Sequence, residues 1–320
     1  MSKARRSRAR RAIARRQTAT PRIRDAFDAL VRLLVDLSAA LADLNAMPPA
    51  EGSPAAADET WAAPGPLLHP TPALEASQFP RTLIAHAGDH LQGLGALLSA
   101  GGGVLAPFSL LRPALESAST AYYLLAPEID TVERIRRWAN VRLRSLVEQE
   151  RLVLAPDDVH LRERVQQLTA RLIDDAQAFG FDAPGKAHTD KGWPLERSFG
   201  EPVPRSQNLI AALLQSVGPE AGPFYHRTLS AMIHGQPHGM EWFISAVEDA
   251  EWSPVPSNQQ QFTRTVATTA AWLSPLVTGL GELVDRASAY YGWAPALWDE
   301  EYGYTRQSLA LCVSSESPPS

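Results

Sequence analysis

Apolar residues recur along most of the chain at intervals of three and four positions, the spacing of an amphipathic helix. The clearest stripe follows Thr20-Pro21, a pair typical of a helix start, and consists of Phe27, Leu30, Val31, Leu34, Leu37, Leu41 and Leu44. The same pattern predicts helices at about 80–100, 107–126, 130–152, 157–179, 205–217, 221–235 and 257–291. An alternating strand pattern of useful length is absent. We therefore expect an all-α protein, a bundle of about six to eight helices.

Segments rich in proline, alanine, glycine and serine divide this pattern. Residues 48–78 are predicted to be an exposed Pro/Ala-rich linker between an N-terminal helix, 20–47, and a helical domain, 79–311. Residues 1–19 form a basic arm. We expect this arm and the C-terminal tail, 312–320, to be disordered.

Composition narrows the class of protein. The 320 residues are 45% hydrophobic, which is enough for a large core. A single cysteine, Cys312, excludes a disulfide within the chain and favours a reducing compartment. The most hydrophobic helix carries charges at Asp28, Arg32, Asp36 and Asp43, which a membrane-spanning helix does not tolerate. The sequence therefore predicts a cytoplasmic protein without a membrane partner.

Charge is distributed unevenly. Lys3 and seven arginines give the first sixteen residues a charge of +8. Since the net charge of the whole chain is −5, the remaining residues carry −13. An arginine arm of this kind binds phosphate backbones without reading sequence, so nucleic acid is a candidate partner. A solvated terminus or a mis-assigned start site explains the same charges.

The stretch YHRTLSAMIHG, 225–235, carries the main candidate for chemistry. Seven helical residues turn through about 700°, so Arg227 and His234 project from nearly the same face and can address one ligand. Gly235 and Pro237 end the helix directly after His234.

This Arg-x6-His spacing in a helical bundle resembles the Arg-x4-6-His motif of HEPN domains. Active members of that superfamily are metal-independent ribonucleases whose arginine and histidine converge across a dimer interface, and inactive members are binding modules. By this resemblance Arg227 would stabilise phosphate charge, and His234 would act on the attacking 2′-hydroxyl. Thr228 stands where the family favours Asn, Asp or His.

Three segments together resemble an uncharacterised bacterial, actinobacterial-like family of helical domains: LLRPALESASTAYYLL (110–125), ERIRRWANVRLRSLVEQE and FYHRTLSAMIHG. The likeness spans about residues 80–245 and brings no established activity. It implies a binding cleft at Arg112, Glu116, Tyr122, Tyr225 and Ser230. A surface salt bridge between residues i and i+4 is the alternative explanation for Arg112 and Glu116.

No metal or cofactor is predicted. HAGDH places His86 and His90 one helical turn apart, and His234 and His238 lie close together, but Gly235 and Pro237 break the register of the second pair. We therefore interpret His86, Asp89 and His90 as the polar side of a helix.

Two functions remain open. The first is a non-enzymatic binding or scaffolding module, a homodimer with a polar cleft near Arg227 and His234 and with RNA or protein as partner. The second is a HEPN-like, metal-independent ribonuclease of a bacterial defence or toxin system.

Overall fold

The computed structural model describes residues 21–62, 71–100, 105–152, 159–182, 197–240, 244–245, 261–262 and 266–314. The all-α prediction is confirmed, because these ranges hold eleven α-helices and only two pairs of two-residue strands. The helices are α1 (Pro21–Ala46), α2 (Pro54–Thr60), α3 (Pro72–Ser99), α4 (Leu111–Leu124), α5 (Thr131–Leu152), α6 (Val159–Ala178), α7 (Ser206–Leu213), α8 (Ala221–Ile233), α9 (Pro237–Met240), α10 (Val266–Tyr291) and α11 (Ala296–Ser314).

The strands form two short antiparallel hairpins, and a 3-10 helix, Ala106–Leu110, leads into α4. Strand β1 (Arg197–Ser198) pairs with β2 (Glu201–Pro202), and β3 (Ile244–Ser245) pairs with β4 (Gln261–Phe262). The turn of the first hairpin is Phe199-Gly200, and both residues have positive φ, 52° and 84°. Phe199 adopts this unfavourable backbone conformation while its ring is buried, so packing of the ring holds the turn.

The main core is formed by α1, α3, α4, α10 and α11. The predicted stripe of α1 is buried from Leu30 onward, because one side of this helix packs against α3 and another against α11. Helix α4 lies at the centre and contacts α3, α7 and α10. Helix α4 carries two of the predicted cleft residues, Arg112 and Glu116.

A second core lies between α5, α6 and the first hairpin. The apolar residues Ile135, Trp138, Leu143 and Leu146 of α5 are buried there. Val132 of the same helix is 38% exposed, whereas the charged Arg134 is only 3% exposed. Arg134 is buried because it reaches a carboxylate of α2, described below.

The segment 48–78, predicted to be an exposed linker, is partly helical. Ser53 caps α2 by accepting a hydrogen bond from the amide of Ala56 at 3.2 Å, and α2 packs against α3 and α10. Pro72 occupies the first turn of α3, so this helix also begins before residue 79. Residues 63–70 lie outside the described ranges.

Helix α11 was not predicted, and with α2 and α9 it brings the number of helices above eight. It continues to Ser314, so residues 312–314 are helical rather than part of a disordered tail. Cys312 is buried beside the main core at 2% exposure. The predicted basic arm and residues 315–320 lie outside the described ranges. Within those ranges no helix has the length and hydropathy needed to cross a bilayer.

Candidate functional site

One face of α8 carries a row of polar side chains. At 100° per residue, His226, Arg227, Ser230 and His234 fall within an arc of about 100°, and His234 is the residue that ends the helix. The opposite side is buried and includes Thr228, Leu229, Ala231 and Met232. We call the four residues His226, Arg227, Ser230 and His234 the α8 polar face.

Arg112 of α4 joins this face to the centre of the fold. Its Nε donates a hydrogen bond to Oε1 of Glu116 at 3.0 Å, and one terminal nitrogen donates to Oγ of Ser230, also at 3.0 Å. Pro113 is tolerated because it lies in the first turn of α4. The structure thus brings together the predicted residues Arg112, Glu116 and Ser230.

The Arg112–Glu116 pair is partly open to solvent. The side chains are 24% and 33% exposed, so screening by water limits the stability that their attraction contributes. Arginine has five N–H donors, and only two of those of Arg112 are used by described residues. The remaining donors are available to a ligand.

His226 completes this cluster and was not predicted from the sequence. Its Nδ1 is buried and has no hydrogen-bond partner among the described residues. Burial lowers the pKa of His226 below its usual value, the positive charge of Arg112 lowers it further, and Glu116 acts in the opposite direction. The ring is therefore neutral at pH 7, with one N–H and one lone pair. Its position one turn before Ser230 was the sequence feature that could have identified it.

Arg227 and His234 share the α8 polar face but are not joined to each other. Both side chains are exposed, and Nε of Arg227 donates to the carbonyl of Pro223 at 3.2 Å. In the part of the chain that the structure describes, no hydrogen bond or ion pair links Arg227 to His234. Both are accessible to a ligand or to a second protomer.

Tyr122 and Tyr225, the other two predicted cleft residues, are held by α10. The hydroxyl of Tyr225 donates to the carbonyl of Ala271 at 3.0 Å, and burial raises the pKa of Tyr225 to about 12. The guanidinium of Arg286 lies 3.4 Å from the ring centre of Tyr122 and donates to its carbonyl. Both tyrosines therefore connect helices and do not add polar groups to the cluster.

Comparison of the chain with protein-family models, curated proteins and solved structures finds no match. The chemistry of the site therefore has to be inferred from its own groups. Around the α8 polar face these are two guanidinium groups, two imidazoles, a hydroxyl and a carboxylate. Such a set can bind an acceptor-rich ligand and can transfer a proton.

Proposed function

We propose that this protein is a non-enzymatic binding module whose binding surface is the α8 polar face together with Arg112. The observation that carries this proposal is the fixed position of Arg112 between Glu116 and Ser230, beside a buried Nδ1 of His226 that has no partner among the described residues. A buried polar atom without a hydrogen bond is costly. A ligand bound beside the partly exposed ring of His226 would accept hydrogen bonds from the remaining donors of Arg112.

RNA is the ligand that the charges favour. Residues 205–240 contain two arginines, three histidines and a single carboxylate, whereas the chain beyond the first sixteen residues carries −13. Guanidinium groups bind phosphate through paired hydrogen bonds, and the basic arm adds attraction that does not depend on sequence. The α8 polar face is thus a locally cationic surface on an acidic body.

A HEPN-like, metal-independent ribonuclease of a defence or toxin system is the second candidate. It is favoured by the exposure of Arg227 and His234 on one face at the end of α8. In this mechanism His234 accepts the proton of a ribose 2′-hydroxyl, whose oxygen attacks the adjacent phosphorus to form a cyclic phosphate. The bond from phosphorus to the 5′-oxygen breaks, and that oxygen takes up a proton from water. Arg227 stabilises the charge on the phosphoryl oxygens, and a second protomer in a homodimer supplies the matching pair.

One assay tests both candidates. The full chain is mixed with a fluorescent single-stranded RNA 20-mer in EDTA, and binding and cleavage are measured in the same samples. The variants are Arg112→Ala, Arg227→Ala and His234→Ala, with Arg171→Ala and His160→Ala of α6 as matched exposed controls. The binding module predicts intact RNA and weaker binding by both Arg112→Ala and Arg227→Ala. The slope of log affinity against log salt concentration should fall by about one for each lost phosphate contact.

The other results are equally decisive. Cleavage that is lost in Arg227→Ala and His234→Ala but kept in both controls establishes the ribonuclease. RNA binding of equal strength in all variants overturns the α8 polar face as the surface and assigns binding to another part of the chain. Absence of RNA binding at low salt overturns RNA as the ligand.

A further inference from the structure

Two histidines of α3 converge on the side of the helix that faces solvent. Nε2 of His86 lies 3.1 Å from Nε2 of His90, and the ring planes are inclined by 77°. This pair is separate from the α8 polar face, since it lies between α3 and α4 rather than between α4 and α8. The histidine of α6, His160, is instead fully exposed, with a side-chain exposure of 101%.

Ser117 of α4 fixes the ring of His86. Its Oγ lies 2.7 Å from Nδ1 of His86, and Ser117 itself is only 7% exposed. When Nδ1–H donates to this hydroxyl, Nε2 carries the lone pair and points toward His90. A hydrogen bond to the far nitrogen is the usual way in which proteins orient a metal-binding imidazole.

The separation of the two nitrogens suits a shared metal ion. Two imidazole nitrogens at about 2.0–2.1 Å from a tetrahedral zinc ion lie about 3.3 Å apart, and cis ligands of an octahedral ion lie about 3.0 Å apart. The observed 3.1 Å, which is also the spacing of a hydrogen bond between the two rings, falls between these values, so the two nitrogens already have the separation that a shared ion requires. Imidazole pairs select zinc, nickel and copper over magnesium and calcium.

We propose that His86 and His90 form a chelating site for a divalent transition-metal ion, with Ser117 as the positioning residue. No group of three or more His, Cys, Asp or Glu side chains converges on an ion among the described residues. The two imidazoles are therefore the protein's ligands, and water fills the remaining positions. This inference goes beyond the proposed function, because neither RNA binding nor metal-independent cleavage involves the α3 histidines.

Calorimetric titration of the full chain with NiCl2 and with ZnCl2 tests the site. The protein carries no affinity tag and is first freed of metal with EDTA. We expect binding of one ion per chain, abolished in His86→Gln and His90→Gln and retained in His160→Gln and His234→Gln. Removal of a hydrogen bond to a metal-bound imidazole weakens binding by about tenfold or more, which we expect for Ser117→Ala.

Two readouts separate a metal site from a structural role. If the two histidines act only as metal ligands, the histidine variants should unfold in EDTA at the same temperature as the wild type. The ¹⁵N chemical shifts of His86 should show the Nδ1–H tautomer in the wild type and a mixture of tautomers in Ser117→Ala. Absence of binding by the wild type, or equal binding in His86→Gln and His90→Gln, overturns the site. Unchanged affinity in Ser117→Ala overturns the positioning role.

Discussion

The guanidinium Nε of Arg134 lies 2.9 Å from the carboxylate Oδ2 of Asp58, although each side chain is only 4% exposed. The same carboxylate accepts hydrogen bonds from the hydroxyls of Thr131 and Tyr290, and Arg134 also donates to the carbonyl of Leu124. The interaction fastens α2 to α5 and α10. Its near-complete burial distinguishes it from the ion pair of Arg151 with Glu148 in α5, whose side chains are 36% and 46% exposed.

We expect Asp58→Ala to destabilise the protein by about 3–5 kcal/mol, because it leaves the charge of Arg134 buried without a partner. Urea unfolding followed by circular dichroism measures the change. Glu59→Ala in the same helix is the matched control, since Glu59 is exposed, and should alter stability by less than about 0.5 kcal/mol. A similar small effect for Asp58→Ala would mean that water reaches Arg134.

The crossing of α7 and α8 predicts opposite effects for two Gly→Ala substitutions. A Cβ added to Gly222 of α8 would lie 2.2 Å from Cα of Ala211 in α7, whereas one added to Gly303 of α11 would have no neighbour within 4 Å. Gly222→Ala should cost about 1–3 kcal/mol or more through overpacking. Gly303→Ala should stabilise its helix by about 0.5–1 kcal/mol. Thermal unfolding of both variants checks the pair, and a stabilising effect of Gly222→Ala would contradict the close approach of α7 and α8.

His226 should make stability depend on pH. Its folded-state pKa lies below the unfolded value of 6.5, so the folded state favours the neutral ring. The stabilisation is fully present above about pH 6.5 and is lost as pH falls through the folded pKa. Between pH 7 and 5, we therefore expect the stability of His226→Gln to fall less steeply than that of the wild type.

The ring protons of His226 provide a direct check by NMR. In wild type they should titrate below pH 6.5, and in Arg112→Met the midpoint should rise because one source of the lowered pKa is removed. The rise should be partial, since burial is the larger cause. A midpoint at or above 6.5 in wild type would be incompatible with the described position of the ring.

Arg81 of α3 forms hydrogen bonds with the backbone at the C-terminal end of α1. It donates to the carbonyls of Asn45 and Met47, and its guanidinium lies 5.7 Å from the ring centre of Trp293. Lysine lacks the planar guanidinium group with its several N–H donors. Arg81→Lys should therefore lower the free energy of unfolding by about 1–3 kcal/mol and change the tryptophan fluorescence. Arg32→Lys, at an exposed position of α1, is the control. Equal stability of the two variants would show that the contacts at the end of α1 contribute little.

Periodicity in the sequence predicted the long helices because their apolar residues repeat within a single stripe, as the α1 leucines do. It failed for α11, since Leu297, Tyr304 and Leu311 are more than half exposed while other apolar residues of that helix are buried. It also failed for α2, whose Pro/Ala-rich composition is typical of a linker. What holds α2 in place is Asp58, whose partners Arg134 and Tyr290 lie 76 and 232 positions away.

The candidate site could also be predicted only in part from the sequence. The pairing of Arg112 with Glu116 follows from their spacing along α4, whereas the bond from Arg112 to Ser230 depends on how α4 and α8 pack. His226 could not be identified from the Arg-x6-His spacing, because its interaction with Arg112 and Glu116 depends on the same packing of α4 against α8. Convergence of His86 and His90 could not be inferred from their spacing alone, because it depends on Ser117 of another helix.

The packing of α1 against α11 also has a consequence for how the protein is synthesised. About 250 residues separate the end of α1 from the start of α11, and a ribosome adding about 5–20 residues per second needs tens of seconds to make them. Helix α3 can cover one side of the leucine stripe early, but the side that meets α11 stays uncovered until the last described helix emerges. An apolar side of α1 therefore stays exposed on the nascent chain during this time, and slowing translation should lengthen that exposure.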